Sequence, residues 1–160
     1  MTQFPLHLDT DATRDQLAGS DTTPPPWELD APETARPAQS LRDHGVVLSA
    51  LGLVYLRHND PARAMVLGLA AMTMGDLSAA TVLMVAEAML VGGDPEQALT
   101  VLGRFERPGG LDIAPNPTER AACHYLLARI LHHRGDAPRA QAELGRAREL
   151  MQSPRPEARI

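Results

Sequence analysis

The chain has 160 residues, enough for one ordinary domain or a smaller one with a tail. Aromatic residues make up only 3%, so a core must be built from Leu, Ala, Val and Met, which favours helices over sheets. A formal net charge of −5 gives no field that would draw DNA, RNA or an acidic membrane, and a single cysteine excludes an internal disulfide and fits a reducing compartment.

Residues 1–38 carry Pro5, Pro24, Pro25, Pro26, Pro32 and Pro37 among many Thr, Asp and Ala residues. Too few apolar side chains are present to offset an ordering entropy of roughly 1–2 kcal/mol per residue, so a disordered Pro-rich tail is expected. Trp27, in PPPWELD, reads either as a docking element for a groove or as an exposed side chain. The first residues show no basic n-region and no long apolar run, so no signal peptide is expected. The apolar stretch 77–91 is interrupted by Ser78, Thr81 and Glu87, and no membrane insertion is expected. Absence of Lys, with abundant Ala, Pro and Gly, reads as the codon bias of a GC-rich bacterial genome, and the cytoplasm is the expected location.

From Ser40 onward the pattern becomes helical. Val46, Val47, Ala50, Leu51, Val54 and Tyr55 recur at three- and four-residue steps, giving a helix over 41–58 that stops at Asn59-Asp60-Pro61. Asp60 suits the N-cap of the next helix and Pro61 its first turn, where no backbone N–H is required. The device returns at Gly93-Asp94-Pro95, with Gln97 completing a capping-box pattern, and again at Gly135-Asp136, where Ala137 precedes the proline.

These recurrences have a period. Asp60 and Asp94, Pro61 and Pro95, and Ala64 and Ala98 are each 34 residues apart, and the third copy comes 42 residues later. The eight extra residues fall in the Pro/Gly-rich stretch 108–117, a surface loop tolerated because closure entropy grows slowly with length. Small residues recur at Leu51-Gly52, Val85-Ala86 and Leu127-Ala128, and the large Tyr55, Met89 and Leu131 stand three positions beyond them. The second helix of each copy carries Ala64, Ala98 and Ala140. A later small position reads Ala71, Phe105 and Ala147, so the second copy departs from the pattern there.

This 34-residue unit resembles the tetratricopeptide repeat, over roughly residues 45–151. The tryptophan of the consensus is replaced by Leu48, Val82 and His124, and the usual inter-repeat proline by Asp76. The resemblance implies an all-α fold of three tetratricopeptide-like helix hairpins, forming a short right-handed solenoid behind the disordered tail. The repeats fall at about 45–78, 79–107 and 118–151, within a domain spanning 39–152, with a C-terminal tail at 153–160. First helices in such a stack line a concave face. The groove positions implied by the resemblance are Val46, Ser49, Leu53, Leu56 and Arg57 in copy one. Copy two gives Ala80, Leu83, Glu87, Leu90 and Val91, and copy three Ala122, Tyr125, Arg129, His132 and His133.

An apolar lining in two copies and a polar-to-basic one in the third suits an extended peptide or helix with spaced hydrophobic anchors. It does not suit a Lys/Asn/Arg cradle for a C-terminal carboxylate, because the corresponding positions include Ser49, Leu53 and Met84. Glu87, alone on an apolar face, is expected to pair with Arg129 before a basic group of the bound partner. Methionines 65, 72, 74, 84 and 89 read as core gap-fillers before adaptable contact residues. Cys123-His124 and His132-His133 lack a second Cys or an acidic residue to complete a coordination set, and adjacent helical residues do not face each other. No catalytic constellation, metal site or cofactor is expected, and no nucleic acid.

The segments GLVYLRHNDPARAMVLGLAAM, GGDPEQALTVLGRF and RGDAPRAQAELGRAREL resemble small tetratricopeptide chaperones of bacterial type III secretion. They are similar to the SctY type, while chain length and the N-terminal extension are closer to class II translocator chaperones. The resemblance implies stoichiometric binding of a small hydrophobic secreted protein before export, without catalysis. The alternative is a scaffold or adaptor subunit of another bacterial assembly. The last helix, at 138–151, is succeeded by QSPRPEARI and no polar capping helix, so a homodimer or a partner over that end is expected.

Overall fold

The computed structural model describes residues 37–152. It holds six α-helices, in order α1 (Pro37–Arg57), α2 (Pro61–Thr73), α3 (Ala79–Val91), α4 (Pro95–Leu102), α5 (Pro117–His133) and α6 (Ala137–Gln152). A short 3₁₀ turn (Gly103–Phe105) extends α4, and no strand occurs among the described residues. The tail, with Trp27, and residues 153–160 lie outside the described residues.

Each helix end is set by local chemistry that repeats. The N–H groups of Asp60, Asp94 and Asp136 donate to the carbonyls of Tyr55, Met89 and Leu131, each at 2.9 Å. A left-handed residue precedes each aspartate, Asn59 (φ 59°), Gly93 (φ 89°) and Gly135 (φ 78°), which closes a Schellman-type helix end. The same closure ends α2, where Gly75 precedes Asp76, whose N–H donates to the Ala71 carbonyl at 3.0 Å. The three repeat aspartates then cap the next helix, accepting from the backbone N–H of Arg63, Gln97 and Arg139 at 3.0–3.2 Å. A periodic Asp therefore ends one helix and starts the next.

The capping box expected at Asp94 is only half formed. Gln97 donates its side-chain amide to the Asp94 carboxylate (2.7 Å), because the Asp94 N–H is already given to Met89. The reciprocal box sits instead at the start of α5. There the Asn116 side chain accepts from the Glu119 N–H (3.0 Å), and the Glu119 carboxylate accepts from the Asn116 N–H (2.8 Å).

Successive helices pair antiparallel as α1 with α2, α3 with α4 and α5 with α6, and α1, α3 and α5 lie side by side. The core runs along this axis. Val82, Val85 and Ile130 are fully buried, with Ala64 and Ala98 sealing the second helices against them. Close approach is set by small residues. A side chain at Gly52 would meet Met84 and the Ala64 carbonyl, at 3.0 and 3.2 Å. Met84 and Met89 are buried, and Met65 and Met72 pack against the same cluster, so these methionines fill the core. Phe105, at the small position of copy two, lies where α4 gives way to the 3₁₀ turn, so that pair is shorter than the other two.

The insertion before α5 folds back on the molecule. Asp112 Oδ2 accepts from Arg42 Nη2 on α1 (2.8 Å) and from the Leu77 N–H (3.0 Å), while its own N–H donates to the Leu77 carbonyl (3.1 Å). The loop thus ties α1 to the start of α3.

Candidate partner-binding wall

The side-by-side first helices leave side chains of each open to solvent, α1 on more than one face. On α1, Val46 and Leu53 are about half exposed, with Leu56 half-buried beside them. On α3, Ala80 and Val91 are exposed, and Leu83 and Glu87 half-buried. On α5, Tyr125 is half exposed, Ala122 and Arg129 half-buried, and His132 and His133 exposed, as is Arg57 at the end of α1. These positions recur at three- and four-residue steps along α1, α3 and α5, helices that neighbour one another in the order α1, α3, α5.

Two of the residues expected to line the groove do not belong to that wall in the same way. Leu90 is buried at 5% exposure within the hydrophobic cluster, because its helix is enclosed on nearly all sides. It stabilises the fold and cannot touch a guest. Ser49 is half-buried, and its hydroxyl is 2.7 Å from Thr81 Oγ1, so it fastens α1 to α3.

Glu87 pairs with Arg129 across the wall, Nη1 to Oε1 at 2.9 Å, and the Arg129 guanidinium lies 5.8 Å from the Tyr125 ring centroid. Both charged side chains are more than a third exposed, so the pair contributes little to stability. Its effect is positional: it holds Arg129 over the tyrosine and gives the carboxylate in the middle of the wall a counter-charge.

Sequence reasoning missed a polar cluster beneath this wall. Asp76 is buried at 3% exposure; its Oδ2 accepts from Thr81 Oγ1 (2.6 Å) and its Oδ1 from the Ser78 N–H (3.2 Å). Thr81 in turn meets Ser49 and Ser78. The available signal was Asp76 itself, an acid at the place of the expected inter-repeat proline. Its partner Thr81 carries no signal in one dimension.

Cys123 and His124 turn apart on α5. His124 Nδ1 donates to Glu143 Oε2 on α6 at 2.6 Å, while Cys123 is buried. Burial, and then the Glu106 and Glu143 carboxylates, push the Cys123 thiol up from its ordinary 9.0 to about 11. A cavity of about 430 Å³ beside it is also bordered by Phe105, Arg120 and Leu127. Such a thiol is a poor nucleophile. Alkylation of the folded protein at pH 8 should run on the order of 100-fold slower than of the urea-unfolded chain, as two pKa units require. Because the fold favours the neutral thiol, its contribution to stability is complete below pH 9 and is lost as pH rises through about 11.

Among the described residues no helix is long and apolar enough to cross a membrane. Residues 79–104 and 121–150, which are α3 with α4 and α5 with α6, match the family model described as tetratricopeptide repeat. No curated protein and no solved structure matches the chain. The α1–α2 pair lies outside the matched residues yet repeats the same turn and the same small-residue packing. The described residues are all-helical, and α3 to α6 match tetratricopeptide repeats, which are generally modules of protein–protein contact.

Proposed function

We propose that the chain is a non-catalytic chaperone that holds a small, hydrophobic secretion substrate along the α1–α3–α5 wall until export by a type III secretion system. One observation supports this reading: Val46, Leu53, Val91 and Tyr125 are large apolar residues left exposed on α1, α3 and α5, with half-buried Leu83 on α3 and the Glu87–Arg129 pair as the fixed charge between α3 and α5. Exposed apolar residues gathered on one face mark a contact surface. Covering ~500 Å² of apolar partner surface contributes on the order of 12 kcal/mol gross. Ordering of the partner offsets much of that, giving the moderate, reversible affinity that a holding chaperone needs.

Leu53→Asp and Leu83→Asp test the reading. Each should weaken capture of a small hydrophobic secreted polypeptide at least tenfold in a pull-down, while helical content by circular dichroism stays at the wild-type level. Capture unchanged in both variants would remove the wall from the binding function. Capture of a non-secreted assembly subunit, lost with the same substitutions, would make the protein a scaffold.

A further inference from the structure

The two ends of the helix stack are repeat-equivalent halves of an interface. Within the molecule, α3 seats in the seam between α1 and α2. Met84 lies against Gly52 and Gly68, Val85 against Gly68, and Thr81 bonds Ser49. The residues 34 positions earlier, on α1, are Ala50, Leu51 and Val47. On α3 this face is buried, with Thr81 and Val85 at 0% exposure. On α1 it is open, with Val47 at 58%, Leu51 at 45% and Val54 at 51%.

The opposite end presents the matching seam. Gly45, Gly52, Ala64, Gly68 and Ala71 correspond, 76 residues on, to Ala121, Ala128, Ala140, Leu144 and Ala147 of α5 and α6. Two cavities, of about 400 and 300 Å³, run along this seam and share Tyr125 and Leu144 as lining. They occupy the place that α3 fills in the first pair.

Size and polarity are exchanged consistently between the two seams. In the first, glycines at 52 and 68 receive the long Met84; in the last, Ala128 and Leu144 stand at those positions, and the incoming α1 residue is the short Ala50. The polar Ser49–Thr81 contact becomes Tyr125 facing Val47, both apolar over their ring and methyl surfaces. We infer that a second copy of this chain stacks head to tail, its α1 entering the α5–α6 seam of the first.

The contact is heterologous, so each copy keeps one free end and the assembly grows with concentration. Sedimentation velocity on the full chain, from roughly 1 to 100 μM, should show the mass rising. Leu51→Asp blocks the α1 face and Leu144→Glu the seam; each alone should stay monomeric. An equimolar mixture should form a one-to-one dimer and grow no further, because each variant retains the half the other lacks. Val47→Asp and Met151→Glu, at exposed positions, replace either variant whose circular dichroism departs from wild type. Three outcomes overturn the inference: a wild-type monomer throughout, self-association of the Leu144→Glu variant through α1 alone, or a mixture that stays monomeric. Tyr125 borders both surfaces, but neither Leu51 nor Leu144 lies on the proposed binding wall, so variants at these two positions separate loss of stacking from loss of client binding.

Discussion

Thr81→Val should lower the free energy of unfolding by about 3 kcal/mol, measured by urea denaturation. The substitution preserves shape and removes one hydroxyl. That hydroxyl is fully buried and donates to the carboxylate of Asp76, itself 3% exposed, while meeting the hydroxyls of Ser49 and Ser78. Without it Asp76 Oδ2 loses its 2.6 Å donor in a place water does not reach. A buried acceptor left unpaired costs its desolvation, more so when charged. Thr81→Ser is the control, since it keeps the hydroxyl and loses one methyl, worth about 0.8 kcal/mol. If Val and Ser cost the same, the polar cluster does not hold α1 against α3.

Gly68→Ala should destabilise the fold by about 2 kcal/mol, against the usual sign for this change in a helix. Alanine is ordinarily the better helix former by about 1 kcal/mol. At Gly68, however, the added carbon would fall on Val85 Cγ2 and 2.8 Å from Met84 Cε. The methionine tip can swing aside, but a β-branched valine in a helix has one strongly preferred rotamer and cannot. Gly145→Ala gives the comparison: nothing lies within 4 Å of its position, so it should stabilise by about 1 kcal/mol. The opposite signs of these two substitutions report where the second helices touch their neighbours.

Both sites bear on what one dimension discloses. Turns were legible because each is a local chemical device: Asp60, Asp94 and Asp136 cap through residues three positions away. The 34-residue period then indicated which helices pair, and of the positions read as groove-lining Val46, Leu53, Val91 and Tyr125 are exposed, whereas Leu83 is half-buried against the core and Leu90 is buried. The Glu87–Arg129 pair was also readable, because an acid on an apolar face needs a counter-charge.

The features that escaped depend on three-dimensional neighbours. Leu90 has the spacing of a wall residue, but α3 is covered on nearly every side, and periodicity cannot report how many neighbours a helix has. The Arg42–Asp112 bond spans 70 residues through an insertion that breaks the period, so no spacing rule reaches it. The α1 face that matches the α5–α6 seam emerges only when exposures are compared across equivalent repeat positions.

Photo-crosslinking in cells tests the central claim most directly. A photoreactive amino acid at position 53 or 91, on the open wall, should give one strong adduct with an apolar-rich polypeptide, and the adduct should vanish when Leu83→Asp is added. The same group at position 100 or 139, exposed on the second helices, should give none. Equal adducts from both sets of positions, or adducts indifferent to Leu83→Asp, would contradict a guest-binding wall on α1, α3 and α5.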